Sequence, residues 1–205
     1  MSTAWSEPQR DPLSWEQYLD LDEDVRRQLE IVDGYVVPRE QRDRAHQKVG
    51  FRVSAALEQA AVAQMRSTGS AECYETNTEV EVLLWEVPLT VRIPDVVLHR
   101  CLEPGQFLAA ADVVVAVEVL SKWSTRRDRI HKMGDYADAG IPHYWIVQLD
   151  KLGAVSIERY MLVDAGKPYT HVGTTSRDMG DRAVTATTPF PMEVLWSQLE
   201  LAPKV

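Results

Sequence analysis

Apolar and polar positions change period several times along the chain, and each change predicts an element. LEIVDGYVV, residues 29–37, places two short apolar runs around Asp33-Gly34. That pair readily supplies the positive φ angles of a type I′ turn, so the segment predicts a hairpin. Over residues 42–67 Val49, Val53, Ala56, Leu57 and Ala60 recur at helical spacing, and Gly69 ends the pattern, which predicts the longest helix. Extended segments follow at 73–76, 79–85, 91–100 and 112–121. In the second, Val80, Val82 and Leu84 oppose Glu79, Glu81 and Trp85, the mark of a half-buried strand. Residues 113–117 are apolar at both parities and belong in a sheet centre covered on both faces.

Thr125, with Asp128 as its capping partner, opens another helix that Gly140 and Pro142 close, and the strand HYWIVQL follows directly. Ile130, Met133, Ala137 and Gly140 form the expected packed stripe of that helix, with Lys132 on its flank. A short helix at 14–19, a turn or second helix start at 20–24, three late strands (VSIERYMLV, YTHVGTTS, RAVTATTPF) and a final short helix, MEVLWSQL, complete the reading. The order predicts an α/β fold with one mixed, mostly antiparallel sheet flanked by helices. Residues 1–12, polar and proline-bearing, read as a flexible lead-in, and 13–205 as a single domain without internal repeats.

Composition narrows the class. The 205 residues are 45% hydrophobic and 26% charged, an ordinary globular profile. No apolar run approaches the roughly 20 residues of a membrane span, and the first residues carry no export signal, so a cytoplasmic location is expected and no membrane partner. Cys73 and Cys101 belong to no CxxC and no repeated framework, and are expected as free thiols. A net charge of −9 argues against coating nucleic acid by bulk electrostatics. Positive charge is nevertheless concentrated locally: residues 122–132 hold five Lys or Arg against one Asp.

The candidate chemistry lies between Arg92 and Trp145. Asp95 follows Pro94, whose missing N–H suits a strand break from which a side chain can leave the ladder. Glu118 shares strand parity with the apolar Ala116 and Leu120, and desolvating an isolated carboxylate there is costly. A buried ion pair would explain Glu118 structurally, and a turn would explain Asp95. Taken together with a lysine, the two acids form a set suited to phosphodiester hydrolysis with bound Mg²⁺, or Mn²⁺. Two lysines compete for the role: Lys122, in line with Glu118 if the strand runs on, and Lys132, two turns into the following helix. If Lys132 serves, its ammonium should come within about 4–6 Å of both carboxylates and depress their pKa values. Arg126 and Arg127, in the first turn of that helix, could grip phosphate. G-x-S-x-G, Walker A and H-E-x-x-H motifs are absent.

PDVVL, VEVLS, R-x-D-x-x-x-K and YADAGIPHYWIV, preceded by LEIVDGYVV and a helix opening at RAHQKV, strongly resemble the Uma2 family, also called DUF820, a branch of the PD-(D/E)XK nuclease superfamily. The resemblance implies a restriction-endonuclease-like core and a Mg²⁺-dependent phosphodiesterase site. In it Asp95 and Glu118 match the metal-binding acids, with the carbonyl of Val119 as a third ligand. Lys132 matches a helix-borne lysine that orients water or stabilises phosphate charge, His46 a histidine at the start of the long helix, and Glu30 an acid before the hairpin. This chain has Lys122-Trp123 where the family carries proline after EVLS, which keeps Lys122 in competition. The expected function is a metal-dependent endonuclease acting on DNA as a homodimer. The alternatives are a nucleic-acid-binding or protein-interaction module that retains the fold without turnover, and a hydrolase of RNA or nucleotides.

Overall fold

The computed structural model describes residues 11–39, 42–69, 72–120, 126–164 and 166–201, with the backbone alone at Pro38 and at 126–129. Helix α1 (Trp15–Leu19) begins with a capping box between Ser14 and Gln17, and α2 (Glu23–Arg26) follows it. Strands β1 (Leu29–Val32) and β2 (Tyr35–Pro38) form the expected hairpin, with Asp33 and Gly34 both at positive φ. Helix α3 (Arg44–Thr68) is N-capped by Asp43, which accepts the His46 N–H, and stopped by Gly69 in the left-handed region.

Strands β3 (Tyr74–Thr78), β4 (Val82–Glu86), β5 (Leu89–Arg92), β6 (Val96–Arg100) and β7 (Val113–Leu120) come next. Helix α4 (Arg126–Asp138) then crosses to β8 (His143–Asp150), and β9 (Gly153–Met161) and β10 (Thr170–Ser176) follow. A short hairpin of β11 (Ala183–Ala186) and β12 (Met192–Leu195) leads into α5 (Trp196–Leu199).

The strands form a four-stranded sheet, β2-β1-β5-β4, a six-stranded sheet, β10-β9-β8-β7-β6-β3, and the β11–β12 pair, rather than one sheet. Every strand pairing is antiparallel except β7–β8, which α4 connects as a βαβ unit. The predicted strand 91–100 divides at Ile93–Asp95: β5 ends in one sheet and β6 begins in the other. Pro94 cannot donate to a ladder, so the chain changes sheets there. Asp95 therefore lies at the junction of the two sheets.

β7 is buried from Val113 to Val119, as its unbroken apolar run requires. One face, with Val115, Val117 and Val119, packs beneath α3, β12 and α5. The other, with Ala116, packs with Tyr136 of α4 and with Tyr144 and Ile146. A third cluster joins Tyr18 of α1 to Ile31, Leu89 and Val91.

Three further expectations are corrected. Cys73 and Cys101 form a disulfide, because the β3–β6 register sets Tyr74 opposite Arg100 and brings the flanking cysteine Cα atoms to 5.3 Å. MEVL is strand β12, and only WSQL is helical. Ile130 is 56% exposed, and the inward stripe of α4 is Lys132, Met133, Tyr136 and Ala137. Thr125 and Lys122 lie outside the described residues, as do the side chains of Asp128, Arg126 and Arg127. Among the described residues no helix is long and apolar enough to cross a membrane.

Candidate active site

The sheet junction and the C-terminal end of β7 bring Asp95 and Glu118 together with charged groups from four other segments. Both acids are almost fully buried. Burying a carboxylate costs several kcal/mol unless charge and hydrogen bonds replace water, and the two acids meet this requirement differently.

Asp95 is held by directed hydrogen bonds. Its Oδ2 accepts the Val119 N–H at 2.6 Å and lies 3.1 Å from Nε2 of His46. The same Nε2 is 2.8 Å from the Val119 carbonyl oxygen. Both neighbours of Nε2 are acceptors, so that nitrogen carries the proton and is shared between them. One histidine from the first turn of α3 thus fixes an aspartate and a strand carbonyl at once. Oδ1 points the other way, 2.9 Å from a terminal guanidinium nitrogen of Arg42. Burial pushes the Asp95 carboxyl up, but the His46 hydrogen bond and the charges of Arg42 and Lys132 outweigh it and hold it below its usual range.

Glu118 is held chiefly by charge. Lys132 Nζ lies 3.2 and 3.3 Å from its two oxygens, and the Tyr136 hydroxyl donates to Oε1 at 2.9 Å. Lys132 and Tyr136 are four residues apart and share a face of α4, which is why both reach the same acid. Oε2 turns toward the Arg42 nitrogen, 3.7 Å away. Burial, reinforced by the negative charges of Asp95 and Glu30, outweighs Lys132 and pushes Glu118 up to about 7. Lys132 thus lies against Glu118, but the pKa depression expected at both acids occurs only at Asp95. At Glu118 the depth of burial wins.

Lys132 has a second acid, Glu30, at 3.0 Å. The pairing of β1 with β5 sets Glu30 beside Arg92, which donates to it at 2.9 Å, while the Ile93 N–H donates at 3.3 Å. Burial raises Glu30, and Lys132 and Arg92 more than offset it, so its carboxyl lies below the usual range. Arg92 also bonds Asp135 on α4. The result is a continuous ladder of alternating charge across the gap between the two sheets, Asp95, Arg42, Glu118, Lys132, Glu30, Arg92 and Asp135.

The structure thus gathers Asp95, Glu118, Lys132, His46, Glu30 and the Val119 carbonyl. Arg42, Arg92 and Asp135 were not foreseen. RIPD at the end of an apolar strand signals a buried arginine near the acid, whereas nothing local marks Arg42, whose partners are remote in sequence.

Among the described residues no three His, Cys, Asp or Glu side chains gather as a metal-ligating cluster. The available donor set is smaller: Asp95 Oδ1, Glu118 Oε2 and the Val119 carbonyl. Two of these three oxygens converge on one positive group, the Arg42 guanidinium, so they fit a hard cation that prefers oxygen ligands. A cleft of about 170 Å³ opens onto Asp95 between His46, Gln47, Gly50, Phe51, Thr78 and Glu79.

The Uma2 family model, described as "Putative restriction endonuclease", matches residues 15–185. The chain belongs to the Uma2 family. Its fold is similar to a crystal structure from Anabaena variabilis ATCC 29413, titled as a putative nuclease belonging to DUF820. The TM-score is 0.61, with 12% identity over 87% of this chain and 90% of that one. No curated protein matches the chain. The family assignment and the fold agree with a restriction-endonuclease-like core.

Proposed function

We propose that this Uma2 protein is a Mg²⁺-dependent endonuclease that hydrolyses DNA phosphodiester bonds. The observation that carries the reading is the convergence of Asp95 Oδ1 and Glu118 Oε2 on one cation position, with Lys132 against Glu118. Asp95, Glu118 and the Val119 carbonyl would hold the ion. When bound, a divalent ion polarises a phosphoryl oxygen and makes water a better nucleophile. His46 keeps Asp95 and the Val119 carbonyl in register with each other, a positioning role. Tyr136, whose pKa is raised well above normal by burial and by Glu118, stays a phenol and fixes the Glu118 rotamer. Lys132 supplies the ammonium that stabilises charge on the attacked phosphate. The reading takes Arg126 and Arg127, in the first turn of α4, and Lys122 as the residues that grip flanking phosphates.

The reading includes residues 13–205 as one domain, acting in the cytoplasm as a homodimer so that two symmetric sites address both strands of a duplex. One observation favours a second reading, a fold-retaining binding module: the Arg42 guanidinium itself lies between Asp95 Oδ1 and Glu118 Oε2. Calorimetric titration of Mg²⁺ and Mn²⁺ into wild type and Glu118→Ala, followed by incubation of both with supercoiled plasmid, separates the two. Binding and nicking that are present in wild type and lost in the variant support the nuclease. DNA binding without metal uptake or nicking supports the module.

A further inference from the structure

We propose that a cavity on the far side of the six-stranded sheet is a second binding site, which holds a phosphate-sized oxyanion through Arg159 and His143. The inference is independent of the metal reading above, because strand register sets the two sites on opposite faces. Val115 and Val117 pair with His143 and Trp145, and Trp145 pairs with Arg159, so these residues share one face of the sheet. Glu118 pairs with Ile146 and lies on the other.

The cavity, of about 180 Å³, lies between β8, β9 and β10 on the sheet and Thr185, Thr187 and Thr188 at the end of β11. Two of its polar groups have fewer partners than burial normally demands. The Arg159 guanidinium carries five donors, and among the described residues its one hydrogen bond is to Thr175 Oγ1, at 2.7 Å. No described carboxylate lies within ion-pair distance of it. Burial pushes its pKa down and the charge of Asp181 offsets this only in part, so the guanidinium is a charge without a matched counter-charge. Gly173, opposite Arg159 on β10, leaves the second terminal nitrogen clear, since a Cβ there would come 3.2 Å from Nη2. His143 is 9% exposed and makes no hydrogen bond to a described residue. Burial lowers its pKa, so near neutral pH the ring is uncharged and keeps one N–H to donate.

These groups suit a tetrahedral oxyanion. A guanidinium presents its planar fork to two phosphate oxygens at once, and threonine hydroxyls donate to the others. The volume admits inorganic phosphate or the terminal phosphate of a monoester, whereas a whole nucleotide exceeds it. The charge of Arg159 excludes a cation.

The test is calorimetric titration of inorganic phosphate, at constant ionic strength and without divalent ions, into wild type, Arg159→Gln and Arg159→Lys. Wild type should bind phosphate, and Arg159→Gln at least about tenfold more weakly, the loss expected when a charge-assisted hydrogen bond is removed. Arg159→Lys should lie between, because it keeps the charge and loses the fork. The His143 ring resonances of wild type should shift saturably with phosphate and not with chloride at equal ionic strength, a readout that needs no variant. No saturable uptake, equal affinity in wild type and Arg159→Gln, or His143 resonances that stay fixed overturns the site. A short DNA duplex titrated into the same proteins without metal identifies the source of the phosphate. Weaker duplex binding by Arg159→Gln assigns it to nucleic acid, and equal binding assigns it to a free anion.

Discussion

Asp95 and Glu118 are equally buried and belong to one site, yet they are stabilised by different physics. Asp95, at the change of sheet, is met by a backbone N–H, a histidine and a guanidinium, and its carboxylate form is favoured. Glu118, near the C-terminal end of the valine-rich β7, has an ammonium and a phenol, and its charged form is only marginally stable. Directed donors from the backbone cannot leave when conditions change, whereas charge balance shifts with every proton or ion in the ladder. Asp95 is thus the rigid half of the site and Glu118 the half that responds.

The largest test of this contrast is to remove each charge while keeping the shape. Asp95→Asn and Glu118→Gln should each abolish metal uptake and lower nicking by about a thousandfold or more if both oxygens are ligands. Their stabilities should diverge. Asparagine sets an NH₂ or a weaker carbonyl against donors from Val119 and His46, so Asp95→Asn should lose about 2–3 kcal/mol in urea denaturation. Glu118→Gln removes a carboxylate that burial disfavours and should lie within about 1 kcal/mol of wild type near pH 8. Equal losses in the two variants would break the comparison.

Lys132→Met follows in size. It removes the ammonium shared by Glu118 and Glu30 and should reduce turnover by about a hundredfold or more, with substrate affinity less affected. Its effect on Glu118 is separable: the group loses its principal stabilising charge, so its pKa should rise above 7, readable by carboxyl chemical shifts.

Proton linkage gives a third outcome. The folded Glu118 pKa, about 7, is above its ordinary 4.5, so the folded state binds the extra proton between those values. Its contribution to stability is full below pH 4.5 and is lost as pH rises through about 7. Asp95 acts oppositely: its lowered pKa contributes stability above 3.8 that is lost as pH falls through the folded value. Thermal melts of the metal-free protein should show the first decline, and Glu118→Gln should flatten it. Apparent Mn²⁺ affinity should fall by about tenfold per pH unit below 7, since the ion requires the carboxylate. Melting profiles identical in wild type and Glu118→Gln would show that Glu118 is not the responsive half.

How much of this was legible in the sequence follows from the same contrast. Glu118 announces itself because a charge interrupts an apolar run, and Asp95 because a proline precedes it. Lys132 needed the family motifs to be preferred over Lys122, and His46 needed them to be singled out at all, since a histidine at a helix start looks ordinary alone. Glu30 came with those motifs too, whereas Arg42, Arg92 and Asp135 were hidden. Glu30, Arg92 and Asp135 meet only because β1 pairs with β5 and α4 covers the gap, and no periodicity encodes which strands become neighbours. The same blindness affected Cys73 and Cys101, joined by strand register across 28 residues, and the split of 91–100 into two sheets. Periodicity reports which face is buried, and long-range pairing decides what it is buried against.

The smallest expected effect concerns which half of the site receives the substrate. The cleft opens on the Asp95 side, where Phe51 on α3 is 67% exposed beside His46 and Asp95. An exposed ring in that position offers a stacking surface to a base next to the scissile phosphate, worth about 1 kcal/mol or somewhat more per base. Phe51→Ala should therefore weaken DNA binding several-fold at constant salt, with Mn²⁺ affinity and melting temperature unchanged, since the ring is exposed and belongs to none of the three core clusters. A larger loss with single-stranded than with duplex DNA would mean that the base is unstacked when it meets the ring. No loss with either would place the approach of the substrate on the Glu118 side, over α4, and would make the responsive acid the one the substrate reaches first.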